Sequence, residues 1–67
     1  MMRYRIEIWQ YHHVSDIYES NDIREIMNWH VKKWKRSLNG GNYTFYVYEH
    51  GRRFSFDELY DLGFYKN

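Results

Sequence analysis

Arg3-Tyr4-Arg5-Ile6-Glu7-Ile8-Trp9-Gln10, then Tyr11-His12-His13, then Val14-Ser15-Asp16-Ile17-Tyr18-Glu19-Ser20, is the stretch on which the fold turns. In its first part Tyr4, Ile6 and Ile8 alternate with Arg3, Arg5 and Glu7. Period two with β-branched and aromatic residues predicts a half-buried strand. Val14–Ser20 is weaker, with Ile17 and Tyr18 as its best β-formers. If it is a strand, a hairpin turns near His12-His13, although no Asn-Gly signal marks it. If it is not, the chain begins with one strand and a long crossover loop, which is uncommon in compact domains.

The segment that follows has the apolar spacing of a helix. Ile23, Ile26, Met27, His30, Val31, Trp34 and Leu38 form one stripe, which predicts a long helix over 22–38. Ser20-Asn21-Asp22 offers N-cap oxygens, and Asp22 with Glu25 makes a loose capping box. Asn39-Gly40-Gly41 ends it. Tyr43–Glu49 alternates again, His50-Gly51 is a compact turn, and Arg52–Phe56 returns as a strand. Ser55 and Glu58 fit a capping box, with Phe54 and Leu59 as its hydrophobic staple. Gly63 and Phe64 fit a glycine C-terminus, so a short helix over 56–62 is expected. Residues 1–67 make one domain. The expected class is α+β: an antiparallel sheet of three to four strands with one long helix on one face, ββαββ or βαββ, and a short C-terminal helix.

Composition narrows the function. The chain has 67 residues, 10 Lys+Arg against 9 Asp+Glu, 22% aromatics, and no Cys or Pro. That excludes a disulfide framework and a Cys-based zinc site. Apolar runs are too short for a membrane span, and no signal-peptide core is visible, so no membrane partner and a cytoplasmic location are expected. The net charge of +1 excludes an acidic DNA mimic and a generic basic coat. A domain this small buries only about 60% of its unfolded surface, so aromatic rings must supply much of the core. Tyr4, Trp34, Tyr43, Phe45, Phe54 and Phe56 are the expected core rings.

Catalytic signals are weak. His12 and His13 are adjacent, so strand geometry points them apart. His30 lies in the apolar stripe, where a core-edge histidine with one satisfied nitrogen is the simpler reading. Ser20, Ser37 and Ser55 sit at helix ends, where capping accounts for them. No nucleotide, hydrolase or metalloprotease motif occurs. No catalytic residue, metal or cofactor is therefore expected, and a His-centred enzyme ranks lowest.

Binding signals are stronger. Trp29, Lys32, Lys33 and Arg36 have i, i+3, i+4, i+7 spacing and lie opposite the apolar stripe. Trp29 there is either covered by Lys and Arg stems or a partner anchor. Tyr46 and Tyr48 share a strand face that Arg3, Arg5 and Trp9 extend, and Arg52 and Arg53 follow the turn. Such a surface anchors a protein, stacks bases, or shields itself through cross-strand pairs.

Tyr-Glu-Ser-x-Asp-Ile at Tyr18–Ile23 and Gly-x-x-Phe-Ser-Phe-Asp-Glu-Leu-Tyr-x-Leu-Gly-Phe at Gly51–Phe64 resemble segments of small phage and prophage proteins of low-GC Gram-positive bacteria. The likeness covers less than half the chain and rests on folding signals. It implies a non-enzymatic inhibitor or modulator of a host enzyme or defence system, acting in the host cytoplasm on a host protein. The alternative is a nucleic-acid binder using the basic helix strip and the aromatic sheet face.

Overall fold

A computed structural model describes residues 2–36 and 42–66. The elements run β1 (Tyr4–Gln10), β2 (His13–Ser20), α1 (Ile23–His30), a π-helical turn (Val31–Lys35), β3 (Thr44–Glu49), β4 (Arg52–Arg53) and α2 (Phe56–Leu62). Val14–Ser20 is therefore a strand, and the order is ββαββ. The sheet order is β2-β1-β3-β4, with every pair antiparallel. β2 and β3 flank β1 and run parallel to each other, with α1 in the crossover between them.

The first hairpin turns one residue earlier than expected. Gln10 pairs with His13, leaving Tyr11-His12 as a two-residue loop. Their φ angles are 51° and 69°, both positive, as a type I′ turn requires. That geometry suits Asn and Gly rather than an aromatic and a histidine. The double variant Tyr11→Asn/His12→Gly should stabilise the protein by about 1–2 kcal/mol. Its melting temperature should then rise by roughly 4–8 °C per kcal/mol. A thermal melt showing no rise would mean that the turn carries no such strain.

The long helix is interrupted. α1 stops at His30, and Val31–Lys35 winds as a π turn closed by Arg36 N–H to the Val31 carbonyl at 3.0 Å. The i→i+5 bonding puts more residues into the turn and shifts the azimuth of everything after it. The expected end of the helix at 37–38 and the Asn39-Gly40-Gly41 stop lie outside the described residues. The Asp22–Glu25 box does not form. Asp22 caps by accepting from Arg24 N–H (2.9 Å), while Glu25 accepts from the hydroxyls of Ser20 (3.0 Å) and Tyr18 (3.3 Å).

β4 is shorter than Arg52–Phe56. Phe54 N–H still reaches the Val47 carbonyl at 2.8 Å, but Ser55 is the N-cap of α2 and takes the chain out of the sheet. Both halves of its capping box form: Glu58 N–H to Ser55 Oγ at 3.2 Å, and Ser55 N–H to Glu58 Oε1 at 2.9 Å. α2 ends in a full Schellman pair. Gly63 N–H bonds the Tyr60 carbonyl, and Phe64 N–H bonds that of Leu59. Gly63 has φ 102°, the left-handed position that glycine takes without a Cβ penalty.

Side-chain alternation puts Ile6, Ile8 and Val47 on one sheet face, where they meet Ile26, Phe54, Leu59 and Phe64. Tyr4, Trp34, Tyr43 and Phe45 pack around this core half-buried. Phe56 does not belong to it. As the first helical residue after the cap it points outward and is 62% exposed. No helix among the described residues is long and apolar enough to cross a membrane.

Candidate protein-binding surface

No described helix covers the second sheet face. The register places Arg5 opposite Tyr48 and Glu7 opposite Tyr46, with Glu19 and Ile17 of β2 on the other flank. This is the expected aromatic–arginine face, and its members satisfy one another. Glu7 accepts from Trp9 Nε1 (3.0 Å) and more distantly from the Tyr48 hydroxyl (3.4 Å), and it pairs with Arg5 (3.0 Å). Burial, reinforced by the Glu7 charge, raises the Tyr48 phenol above its ordinary range. Trp9 meets Tyr46 edge-on at 6.3 Å, and the Arg53 guanidinium lies 5.1 Å from the Tyr46 ring centre. Arg3, expected on this face, turns to Glu49 at 2.6 Å instead.

The helix strip is not one surface. Trp29 stacks on Tyr18 with ring centres 5.2 Å apart and packs against the core. Lys33 Nζ lies 5.7 Å from its ring and pairs with Asp16 at 3.1 Å. Asp16 also accepts from Trp34 Nε1 at 3.1 Å. Partial burial opposes the Asp16 charge, but the Lys33 and Trp34 hydrogen bonds prevail and hold its carboxyl below the usual value. Trp29 thus closes the α1–β2 seam, as a ring covered by a Lys stem would. Lys32 and Arg36 stay exposed, with no ion pair among the described residues.

His30 is 2% exposed, and its Nε2 sits 2.8 Å from the Tyr43 hydroxyl. Burial, with a smaller contribution from the Lys35 charge, lowers its pKa to about 4. The ring is neutral at pH 7 and packs 4.4 Å from Phe45, centre to centre. It is a core residue.

The most exposed ring cluster was not visible as such in the sequence. Phe56 and Tyr60 are 62% and 61% exposed, and Tyr65 is 42% exposed. Their centres lie 4.9 Å (Phe56–Tyr65) and 6.2 Å (Phe56–Tyr60) apart, and Tyr65 continues to Phe45 at 5.8 Å. An open groove of about 480 Å³ separates β3 from the start of α2, with Thr44, Phe45, Tyr46, Arg53, Phe56 and Tyr65 on its walls. The available signal was the i, i+4 spacing of Phe56 and Tyr60, opposite the Phe54–Leu59 staple.

Arg52 and Arg53 have different neighbours. Arg52 is held by Glu58 through two bonds of 3.1 and 2.9 Å. The Arg52 hydrogen bond, then the Ser55 N–H, hold the Glu58 carboxyl down at about 2. Arg53 rests on Tyr46 and has no carboxylate partner among the described residues. Of the residues picked out by pattern, Tyr46, Tyr48 and Arg53 share one surface. Trp29, Lys32, Lys33 and Arg36 belong to the other side of the molecule, along the helix. No family model, curated protein or solved structure matches the chain.

Proposed function

We propose that the chain is a small non-enzymatic protein-binding module. Its anchors are Phe56, Tyr60 and Tyr65, continued through Tyr46 and Arg53 onto the sheet face. The observation that supports this is the exposed ring cluster itself: a 62%-exposed Phe beside two exposed Tyr rings, near an Arg with no carboxylate partner among the described residues. Aromatic and Arg side chains dominate interface hot spots, and contiguous exposed rings mark interaction sites. The likeness of Gly51–Phe64 to phage proteins adds the class, an inhibitor or modulator of a host enzyme or defence system, working in the host cytoplasm.

Charge favours a protein partner over nucleic acid. Four of the ten cations, Arg3, Arg5, Lys33 and Arg52, are each paired with a carboxylate, which reduces the charge available for phosphate contacts and counterion release. The test is affinity purification from host lysate with the native chain and with Phe56→Asp. Phe56 is exposed, so the variant should fold normally. It should lose about 30-fold or more in capture, the size of one hot spot. Equal recovery of the same protein by both chains, or recovery of nucleic acid alone, would reject the reading.

A further inference from the structure

We infer that the free edge of β3 at Phe45 takes up an extended peptide as an added strand, with its acidic side chains on Arg53 and its apolar side chains among the rings of Phe45, Phe56 and Tyr65. This deepens the protein-binding reading and rests on it.

The edge is open because β4 is so short. β3 has six residues, all paired with β1, yet β4 pairs only with Tyr48 and Glu49. One further bond, Phe54 N–H to the Val47 carbonyl, is made before Ser55 turns the chain into α2. Alternate residues of a strand direct their backbone groups to the same edge. Phe45 therefore presents its N–H and carbonyl on the side where Val47 receives Phe54. It faces Ile8 across β1 as a non-bonded pair. Among the described residues nothing bonds these two groups on the β4 side. The groove of about 480 Å³ lies on this side of β3.

The two walls differ in chemistry, and a strand reads them separately. Arg53 pairs with Tyr48 and so stands on the open sheet face. Phe45 pairs with Ile8 and so belongs to the core face, where Phe56 and Tyr65 extend it. An added strand points successive side chains to opposite faces. Acidic residues alternating with apolar ones would meet Arg53 on one side and the rings on the other. Backbone bonds to a sheet edge supply affinity in this mode, and the alternate pockets supply specificity.

The experiment titrates the labelled full chain with the capped pentapeptide Glu-Phe-Glu-Val-Glu, following backbone amide shifts by NMR. Shifts should centre on Thr44, Phe45, Tyr46, Arg53 and Phe56. N-methylating either the second or the central peptide residue removes an N–H from one strand edge. One of these two peptides should bind about tenfold more weakly or worse. Lys-Phe-Lys-Val-Lys should bind poorly to the native chain and better to Arg53→Glu, whose own spectrum reports its folding. Binding indifferent to both N-methylations, shifts confined to Trp9 and Ile17, or no binding by any peptide would overturn strand addition. The Phe56→Asp purification then decides the broader reading separately.

Discussion

Phe64→Ala should cost about 3–5 kcal/mol, the usual range for emptying a buried Phe site. A chain of this length has roughly 3–10 kcal/mol to lose, so the variant should be largely unfolded or melt at the edge of measurement. The reason lies in the C-terminal code. Gly63 takes the left-handed position, the Phe64 N–H caps the Leu59 carbonyl at 3.0 Å, and the chain reverses so that the Phe64 ring enters the core. There it is 3% exposed, 6.0 Å from Phe45 and 6.3 Å from His30 between ring centres. The same change at Phe56, which is 62% exposed, should stay within about 1 kcal/mol. Urea denaturation of both variants checks this. Equal midpoints would mean that the division into one core ring and one surface ring is wrong.

Stability should also fall between pH 6.5 and about 4 because of His30. Its folded-state pKa is lowered to about 4, first by burial and then by the Lys35 charge, whereas the unfolded chain titrates near 6.5. In this interval the unfolded state binds the extra proton, so stability is complete above pH 6.5 and declines as pH falls. The full separation corresponds to about 3 kcal/mol. Relaxation of the surroundings around the charged ring offsets part of it, and a loss of about 2 kcal/mol is expected. His30→Phe keeps an aromatic of similar bulk, forgoes the Tyr43 hydrogen bond, and should be flat from pH 7 to 4.5. Below pH 4.5 the depressed carboxyls of Glu58 and Asp16 take over. Their contribution is present above 4.5 and is lost as pH falls, towards about 2 for Glu58, in both proteins alike. Denaturant midpoints at several pH values separate the two windows. A native chain as flat as His30→Phe above pH 4.5 would refute the assignment.

Local chemistry was legible in the residues. The alternation of Tyr4, Ile6 and Ile8 gave a strand with the right buried face. Ser55, Glu58, Gly63 and Phe64 gave both ends of α2, because capping bonds join neighbours in the chain and need no distant partner. The expected set of Tyr46, Tyr48, Arg3, Arg5 and Trp9 on one face followed from period two, and of these Arg3 departs, turning to Glu49. What depended on contacts far apart in sequence was not legible. Asp16 reaches Trp34 and Lys33 across 18 and 17 positions, and those bonds accompany a π turn where the apolar spacing had promised an uninterrupted helix.

Trp29 shows the same limit. Its place opposite the stripe read equally well as an exposed anchor or a covered ring, and Tyr18 of β2 decided for the covered ring. Phe56 went the other way. Alternation assigned it to the core, but the Ser55 cap ended β4 early and turned it outward. Sequence by itself thus determined the α+β class, the second hairpin, the Ser55 and Gly63 caps of α2 and the alternating faces of β1 and β3, since these rest on bonds and periodicities within a few residues, while it left open whether Val14–Ser20 is a strand. Tertiary structure alone decided which rings are surplus to the core and where β3 lacks a neighbour. Burial and strand pairing are properties of the assembled layers, and no local pattern encodes them.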